Sequence, residues 1–400
     1  MAFSLESIQQ AVRNEGLDGW LLYDFRNTNP LALRVLEQPQ LAGKSRRWAY
    51  FIPASGEPTR LVHRIESEAL DRLPGQKRIY LKWSEWESAI ESFCGPGKKI
   101  AAEYSPMQRN PAISRVDPGL IDLARRKGAE VVSSGNLLQL FEAVWSEAQW
   151  YSHLEAAVAV RSAFTTGFQA IRDALTNRGE IRETEVQAII LKHFEAHQLV
   201  SSSLPIVACG PNAGNPHYGP LAGQDALIRP GDLVLLDIWG KLKTPGAVYS
   251  DLSMMGFAGT VVPPFYGTLF ELVCRARDSA VAKVRSAMKA GVGPFGWEVD
   301  DAARAVIEAA GQGQAFCHRT GHSIGQETHG NGANIDNLET REERRLIPGT
   351  CFSIEPGLYF DDFGMRTEVN VCIRPDHEVV VTGGEPQTEI LPILGDWKVA

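Results

Sequence analysis

Three of the nine histidines in the chain fall within one short string, HRTGHSIGQETH, at positions 318–329. Imidazole side chains bind divalent metals, transfer protons and donate hydrogen bonds to developing charge. The glycines of this string disfavour a stable helix, and they let a backbone pass close to the imidazoles. Taken alone, the string fits a structural turn as well as it fits a functional site.

Two aspartates lie in strand patterns that are otherwise apolar. Asp237 occurs in LVLLDIWG and Asp251 in AVYSDLSMM. A charged carboxylate among apolar residues is costly unless it is paired or bound to a cation. A hairpin that is symmetric about Thr244 would place the two aspartates directly opposite each other, with their β-carbons about 5 Å apart. We therefore predict a carboxylate pair on one face of this hairpin.

Two glutamates repeat the arrangement near the C-terminal end of the sequence. Glu355 in FSIEPG and Glu368 in MRTEVNV flank Asp361 and Asp362. A hairpin centred between those two aspartates opposes the glutamates. Pro356 disfavours the helical conformation for the residue before it, and so holds that glutamate extended.

Four carboxylates in one place repel each other unless cations lie between them. Two divalent ions, roughly 3.5–4 Å apart, would satisfy them together with one imidazole and could hold a bridging hydroxide. The spacing of the cysteines, which includes no C-x-x-C pair, excludes a thiolate zinc site. The alternative is a set of unrelated surface carboxylates.

The elements that would position these residues point to two domains, because 400 residues exceed one ordinary domain. The N-terminal part alternates strand patterns such as GWLLYDF with helical ones, which is typical of α/β structure. A long helical pattern covers residues 141–178, and strand patterns follow from residue 200. We predict an α+β protein with domains at residues 1–145 and 146–400.

Composition excludes several classes of function. The net charge is -8 and no long basic run occurs, so nucleic-acid binding is not expected. No apolar run is long enough to span a membrane, and the N-terminal residues lack the apolar core of a secretory signal. The scattered cysteines, six in all, are typical of buried free thiols in a reducing cytoplasm. We predict a cytoplasmic enzyme.

Five motif positions resemble a known family in the right order. The strings LLDIWG with YSDLSM, RTGHSIGQETH, FSIEPGLYF and GMRTEVNV are similar to motifs of the prolidase, aminopeptidase P and methionine aminopeptidase group of metallopeptidases. The resemblance implies a C-terminal pita-bread catalytic domain and a smaller N-terminal α/β domain of the creatinase type. It also implies five ligands of a dinuclear metal centre: Asp237, Asp251, His322, Glu355 and Glu368. Manganese is the expected metal, with Co²⁺, Zn²⁺ and Fe²⁺ as alternatives.

The resemblance also implies catalytic roles for four residues. Glu355 would act as general base and acid for the bridging water. His217 in NPHYG, His318 and His329 match histidines that position the scissile carbonyl and stabilise the oxyanion.

Two arginines are predicted to serve the substrate site. Arg341, which precedes Glu355 by fourteen residues, falls where prolidases carry an arginine that pairs with the carboxylate of a C-terminal proline. The charge-rich surroundings of Arg341 leave a solvated surface charge as the alternative. Arg366 matches a family arginine that supports a metal carboxylate.

The sequence departs from the family pattern in two places. The spacing between Asp237 and Asp251 is fourteen residues instead of the usual eleven, an insertion that a turn tip tolerates. Ser203 stands where prolidases and aminopeptidases P carry a tyrosine that is thought to shuttle protons.

The function predicted from these features is hydrolysis of Xaa-Pro dipeptides by a homodimeric prolidase with two divalent ions per chain. An Xaa-Pro aminopeptidase acting on longer peptides is the main alternative. A lyase or creatinase-like enzyme and a peptide-binding pseudoenzyme are further alternatives, and the intact set of five ligands argues against both.

Overall fold

The computed structural model describes residues 3–398, which form two compact units divided after Glu142. The strands of the first unit are β1 (Gly19–Asp24), β2 (Trp48–Pro53), β3 (Thr59–His63), β4 (Gln76–Tyr80), β5 (Lys99–Ala102) and β6 (Glu130–Ser133). Its helices are α1 (Leu5–Asn14), α2 (Pro30–Val35), α3 (Trp83–Phe93), α4 (Pro118–Arg126) and α5 (Gly135–Glu142).

The first unit is built on one sheet with the strand order β4-β3-β2-β1-β5-β6. Strand β1 is buried along its whole length because both faces of the sheet are covered. Trp20 and Leu22 pack in one apolar cluster, while Leu21 and Tyr23 pack in another. This follows from the two-residue period of a strand, and it accounts for the continuous apolar run in the sequence.

The second unit contains four longer helices and two main sheets among its described residues. The helices are α6 (Glu147–Arg178), α7 (Glu183–Ala196), α8 (Pro264–Lys289) and α9 (Gly296–Ala309). The strands before α8 are β7 (Ile181–Arg182), β8 (Leu199–Val200), β9 (Ile206–Cys209), β10 (Leu227–Ile228), β11 (Leu233–Leu242) and β12 (Ser250–Phe257). The strands after α9 are β13 (Ser323–Ile324), β14 (Cys351–Ile354), β15 (Gly357–Tyr359), β16 (Gly364–Arg366), β17 (Val369–Ile373), β18 (Val379–Thr382) and β19 (Leu391–Pro392).

The hairpin of β11 and β12 packs one face against α6. Leu236 and Ile238 share an apolar cluster with Phe164 and Phe168 of that helix. Because side chains alternate along a strand, Asp237 faces away from α6.

The sheet β13-β14-β17-β18 packs in the same manner against α8 and α9. Phe352 and Ile354 share an apolar cluster with Val273 of α8. Alternation places Ser353 and Glu355 on the opposite face of this sheet. Each sheet thus covers a helix layer with one face and carries acidic residues on the other.

The α+β class predicted from the sequence is confirmed by these separate sheets and helices. Within residues 3–398, no helix combines the length and the apolar character that crossing a membrane would require.

Candidate metal centre

Asp237 and Asp251 share one face of the β11–β12 hairpin but are not directly opposed. The ladder pairs Asp237 with Ser253 and Trp239 with Asp251, so the prediction of direct opposition was wrong. The hairpin is symmetric about position 245 instead of 244. Gly246, in the left-handed region at φ 80°, closes the turn one residue later than expected. The two carboxylates are therefore diagonal neighbours.

Glu355 and Glu368 occupy opposed positions in the second hairpin. The ladder of β14 with β17 and the ladder of β15 with β16 continue one register along the hairpin. The last pair of the β14–β17 ladder joins Ile354 to Val369. Glu355 follows β14 and Glu368 precedes β17, so each lies next to that pair. The register predicted for this hairpin is confirmed.

His322 lies between the two carboxylate pairs. Its Nε2 atom is 3.6 Å from Oδ2 of Asp251 and 3.4 Å from Oε1 of Glu355. Its Nδ1 atom lies 3.1 Å from the carbonyl oxygen of Ser323 and donates to it, so Nε2 carries the lone pair. Burial lowers the pKa of His322 to about 3, which keeps the ring neutral. A neutral lone pair facing two carboxylates is the arrangement that a cation would satisfy.

Three carboxylate oxygens of the centre are buried without a hydrogen-bond partner among the described residues. They are Oδ1 of Asp237, Oδ1 of Asp251 and Oε1 of Glu368. Buried polar atoms are normally hydrogen-bonded, so these oxygens need another partner. Burial raises the pKa of Asp251 and Glu368 well above the usual range, and repulsion from neighbouring carboxylates adds to the effect.

The donor set fits divalent cations. Ligand atoms of Asp251, His322 and Glu368 all lie within 4.8 Å of one another. Hard carboxylate oxygens with one neutral imidazole suit ions such as Mn²⁺, Co²⁺, Fe²⁺ and Zn²⁺.

Arg366 holds one side of the centre in place. Its side chain is buried, and its guanidinium forms an ion pair with Oδ2 of Asp237. Nε donates to the hydroxyl of Ser253 at 3.1 Å, and Nη1 donates to the hydroxyl of Tyr359 at 2.8 Å. Because all three nitrogens are engaged by the protein, Arg366 holds the carboxylate of Asp237 in place and has little left for a substrate.

A cavity of about 750 Å³ in the second unit contains the centre. Nine of the ten site residues predicted from the sequence line it: Asp237, Asp251, His322, Glu355, Glu368, Arg366, His217, His318 and His329. Ser203 lines it as well, at the position where the family carries a tyrosine.

The three remaining histidines differ in what they can offer a substrate. Both ring nitrogens of His318 are engaged, Nδ1 with the carbonyl of Arg319 at 2.6 Å and Nε2 with the hydroxyl of Tyr359 at 2.8 Å. The His329 ring stands edge-on to His322, with centroids 4.3 Å apart. No described residue hydrogen-bonds to the ring of His329 or of His217. The last two rings are therefore the ones free to contact a substrate.

Arg341 is not brought to the cavity. Its half-exposed side chain lies 3.3 Å from Glu343 and stacks over the ring of Trp297 at 5.0 Å. Arg319 lines the cavity instead. Its backbone N–H donates to Glu339, but its guanidinium forms no hydrogen bond or ion pair with any residue of the described chain. Arg319 is thus a free cation at the site.

Sequence reasoning missed a group of polar residues that orient the carboxylates: Ser253, Ser353 and Asn370. The hydroxyl of Ser253 donates to Glu368 at 2.8 Å, and the hydroxyl of Ser353 donates to Glu355 at 2.9 Å. The side-chain oxygen of Asn370 accepts from the backbone of Asp251. Each of these residues stands two positions from a carboxylate, so the strand period could have identified all of them.

Glu183, which sequence reasoning also missed, anchors the loop that carries His217. This carboxylate is fully buried at the start of α7. Its oxygens accept hydrogen bonds from the backbone of Cys209 and Ala226, the amide of Asn212 and the hydroxyl of Tyr218. One buried carboxylate therefore fixes both ends of the segment 209–226.

Comparison with known proteins places the chain among peptidases. The model of metallopeptidase family M24 matches residues 152–382. An Xaa-Pro dipeptidase of Lactobacillus delbrueckii subsp. lactis is 31% identical over 232 residues, which cover 58% of this chain and 57% of that protein. The matched part thus spans little more than half of that relative's length.

Relatives from mycobacteria match over more of the chain. A probable dipeptidase PepE of Mycobacterium bovis is 26% identical over 348 residues, covering 86% of each protein. The crystal structure of dipeptidase PepE from Mycobacterium ulcerans superposes with a TM-score of 0.67 at 25% identity, covering 97% of this chain and 96% of that one. The fold is the two-domain arrangement with a pita-bread catalytic domain that the sequence predicted, and the chain belongs to metallopeptidase family M24.

Proposed function

We propose that this protein is a metal-dependent Xaa-Pro dipeptidase. The observation that carries the proposal is the convergence of four carboxylates and one neutral imidazole in a cavity, with three carboxylate oxygens left without a partner in the described chain. The proposed metal ligands are Asp237, Asp251, His322, Glu355 and Glu368. When bound, divalent ions supply the Lewis acidity that activates water and polarises a peptide carbonyl.

Glu355 is the proposed proton carrier. It lies in the cavity, and the hydroxyl of Ser353 donates to only one of its oxygens, Oε1. A carboxylate held in this way can accept a proton from the attacking water and deliver it to the leaving amine.

His329 and His217 are the proposed donors to the scissile carbonyl. Nearby His322, followed by burial, lowers the pKa of His329 to about 3, so this ring is neutral and can present one N–H without bringing a charge. His318 takes a different role from the one predicted. Since its two nitrogens are engaged by Arg319 and Tyr359, it orients Tyr359 and through it Arg366.

Arg319 is the proposed contact for the substrate carboxylate. A dipeptide places its C-terminal carboxylate one residue beyond the scissile bond, and a longer peptide has a neutral amide there. A free guanidinium in the cavity favours the carboxylate, since charge-assisted hydrogen bonds to such a group are strong. This placement favours a dipeptidase over the aminopeptidase alternative.

A substrate panel tests the proposed activity. With Mn²⁺ present, the purified protein should cleave Ala-Pro, should cleave Ala-Pro amide far more slowly, and should lose activity in EDTA. Cleavage confined to Ala-Pro-Ala would identify an aminopeptidase instead. Failure to cleave any of the three with any of Mn²⁺, Co²⁺, Zn²⁺ or Fe²⁺ would reject the proposal.

Arg319→Gln tests the carboxylate contact. We expect kcat/KM for Ala-Pro to fall about 10–100-fold, because a hydrogen bond to a charged group contributes roughly 1.5–3 kcal/mol. The value for Ala-Pro amide should change little. Arg341→Gln is the matched control and should leave both values near those of the unmodified protein. A selective loss on Ala-Pro in the Arg341 variant would return the role to Arg341.

The proposal extends to two ions per chain with manganese as the native metal, a homodimer and a cytoplasmic location, which the family resemblance supports. Metal analysis of the protein purified without chelators and light scattering in solution test the first two of these features.

A further inference from the structure

Two cysteines face each other on the strands that lead to the glutamates of the metal centre. Cys351 of β14 pairs directly with Cys372 of β17, and their sulfur atoms lie 2.7 Å apart. Both side chains are buried in a small cluster with Tyr249 and Ile324, and tryptophan side chains pack around it. A disulfide bond is about 2.05 Å long, so the two sulfur atoms already stand close to bonding distance.

The thiol pair stands on the same face of the sheet as the glutamates. Three successive cross-strand positions on this face are Cys351 with Cys372, Ser353 with Asn370, and Glu355 with Glu368. A covalent bond at the first position would therefore fix the strand separation two steps away from the metal ligands.

His153 lies next to the two cysteines, and its Nε2 atom faces Thr382 and Cys372. Nδ1 of His153 donates to the carbonyl of Tyr249 at 2.8 Å, so Nε2 is the acceptor. Nε2 accepts from the hydroxyl of Thr382 at 2.6 Å and lies 3.8 Å from the sulfur of Cys372. Burial opposes ionisation of Cys372, but the hydrogen bond with Cys351 and the nearby His153 lower its pKa to about 6.

We infer that Cys351 and Cys372 are a site of reversible oxidation that closes a cross-strand disulfide when the protein meets a peroxide. The thiolate of Cys372 attacks one oxygen of hydrogen peroxide, and the other oxygen leaves as hydroxide, which takes up a proton to form water. The resulting sulfenic acid is attacked by the sulfur of Cys351, whose proton goes to the hydroxyl that leaves as water. Two thiols and one peroxide thus give one disulfide and two waters.

The disulfide would stabilise the strands that carry the glutamates. It closes a loop of about 20 residues and restricts the unfolded chain accordingly. In a unit of this size, each kcal/mol of added stability typically raises the melting temperature by about 2–4 °C. The oxidised protein should therefore melt roughly 5 °C or more above the reduced protein. The other buried thiols, such as Cys209 and Cys274, have no partner cysteine in contact and serve as internal references.

The experiment treats the fully reduced protein with hydrogen peroxide, blocks the remaining thiols under denaturing conditions and maps the peptides by mass spectrometry. We expect a peptide linked through Cys351 and Cys372 that dithiothreitol separates, while Cys209 and Cys274 are alkylated as before. Cys372→Ser should lose the link and the shift in melting temperature, and the control Cys209→Ser should keep both.

Three results would overturn the inference. The first is full alkylation of Cys351 and Cys372 after peroxide treatment, and the second is a link from either residue to another cysteine such as Cys317. The third is protection of Cys351 and Cys372 from alkylation that is reversed by a chelator but not by dithiothreitol. His153 has its ligand atom within 4.8 Å of both sulfurs, so that third result would identify a bound soft metal.

Discussion

Asp251→Asn is expected to abolish metal binding and peptidase activity and, at the same time, to stabilise the metal-free protein. Asp251 is buried, and among the described residues no lysine or arginine forms an ion pair with it. The His322 ring 3.6 Å away is neutral, and one oxygen of Asp251 has no hydrogen-bond partner in the described residues. Burial and repulsion from Asp237 and Glu355 raise the pKa of its carboxyl well above the usual range. A neutral amide removes this repulsion, and we expect a gain of about 1–3 kcal/mol in the free energy of unfolding without metal.

Asp237→Asn should remove activity equally but shift stability the other way. Asp237 is the ion-pair partner of buried Arg366, and loss of one member of such a pair typically costs about 3–5 kcal/mol. The opposite signs expected for these two proposed ligands follow from the position of this single guanidinium.

Urea unfolding in EDTA measures both free energies, and metal analysis with the Ala-Pro assay measures binding and activity. Asp361→Asn, an exposed change at the turn of the second hairpin, is the matched control and should alter neither. A metal-free Asp251→Asn protein that is less stable than the unmodified one would contradict the repulsion argument. Metal bound at the normal level in that variant would reject Asp251 as a ligand.

Arg366→Met should destabilise the protein by about 3–5 kcal/mol, because it removes a cation buried beside four carboxylates. It also leaves the hydroxyls of Ser253 and Tyr359 without the donor that orients them. Activity should fall by more than the roughly 10–100-fold that loss of a ligand-orienting partner typically costs.

Arg366→Lys separates charge from geometry. Lysine keeps the positive charge but lacks the planar fork that reaches Asp237, Ser253 and Tyr359 together. We expect the lysine variant to recover much of the stability and little of the activity. Urea unfolding and kcat for Ala-Pro measure the two effects, with the surface change Arg341→Met as control. Equal recovery of both quantities would show that charge alone matters.

The strand patterns of the sequence correctly predicted which strand hairpins carry the four carboxylates. They were less successful in predicting the register in which the paired strands align. The glutamate hairpin turns tightly between Asp361 and Asp362, so its register could be read from the sequence and is confirmed. The aspartate hairpin has a longer connection in which Gly246 decides where the chain reverses. Several turns of similar energy fit such a connection, so sequence symmetry was a poor guide there.

The arginines show a second limit of sequence spacing. The family resemblance predicted a substrate role for Arg341, yet its guanidinium stacks on Trp297, which is distant in the sequence. Spacing along the chain gives no direction for a long flexible side chain, because neighbouring elements decide it. The free guanidinium of Arg319 could be recognised only once its surroundings were known. The serines and asparagine beside the carboxylates, in contrast, follow from simple alternation.

The buried carboxylate of Glu183 has a consequence for changing substrate preference. It ties down both ends of the segment 209–226, whose exposed residues include His217 and Leu221 at the mouth of the cavity. We therefore expect that the segment between these two anchor points can be replaced by the corresponding segment of a relative. Glu183, Asn212 and Tyr218 must be kept, because their hydrogen bonds hold the segment in place. Such grafts would vary what enters the cavity and leave Asp237, Asp251, Glu355 and Glu368 in place on the two hairpins, provided that the grafted segment keeps a histidine at position 217.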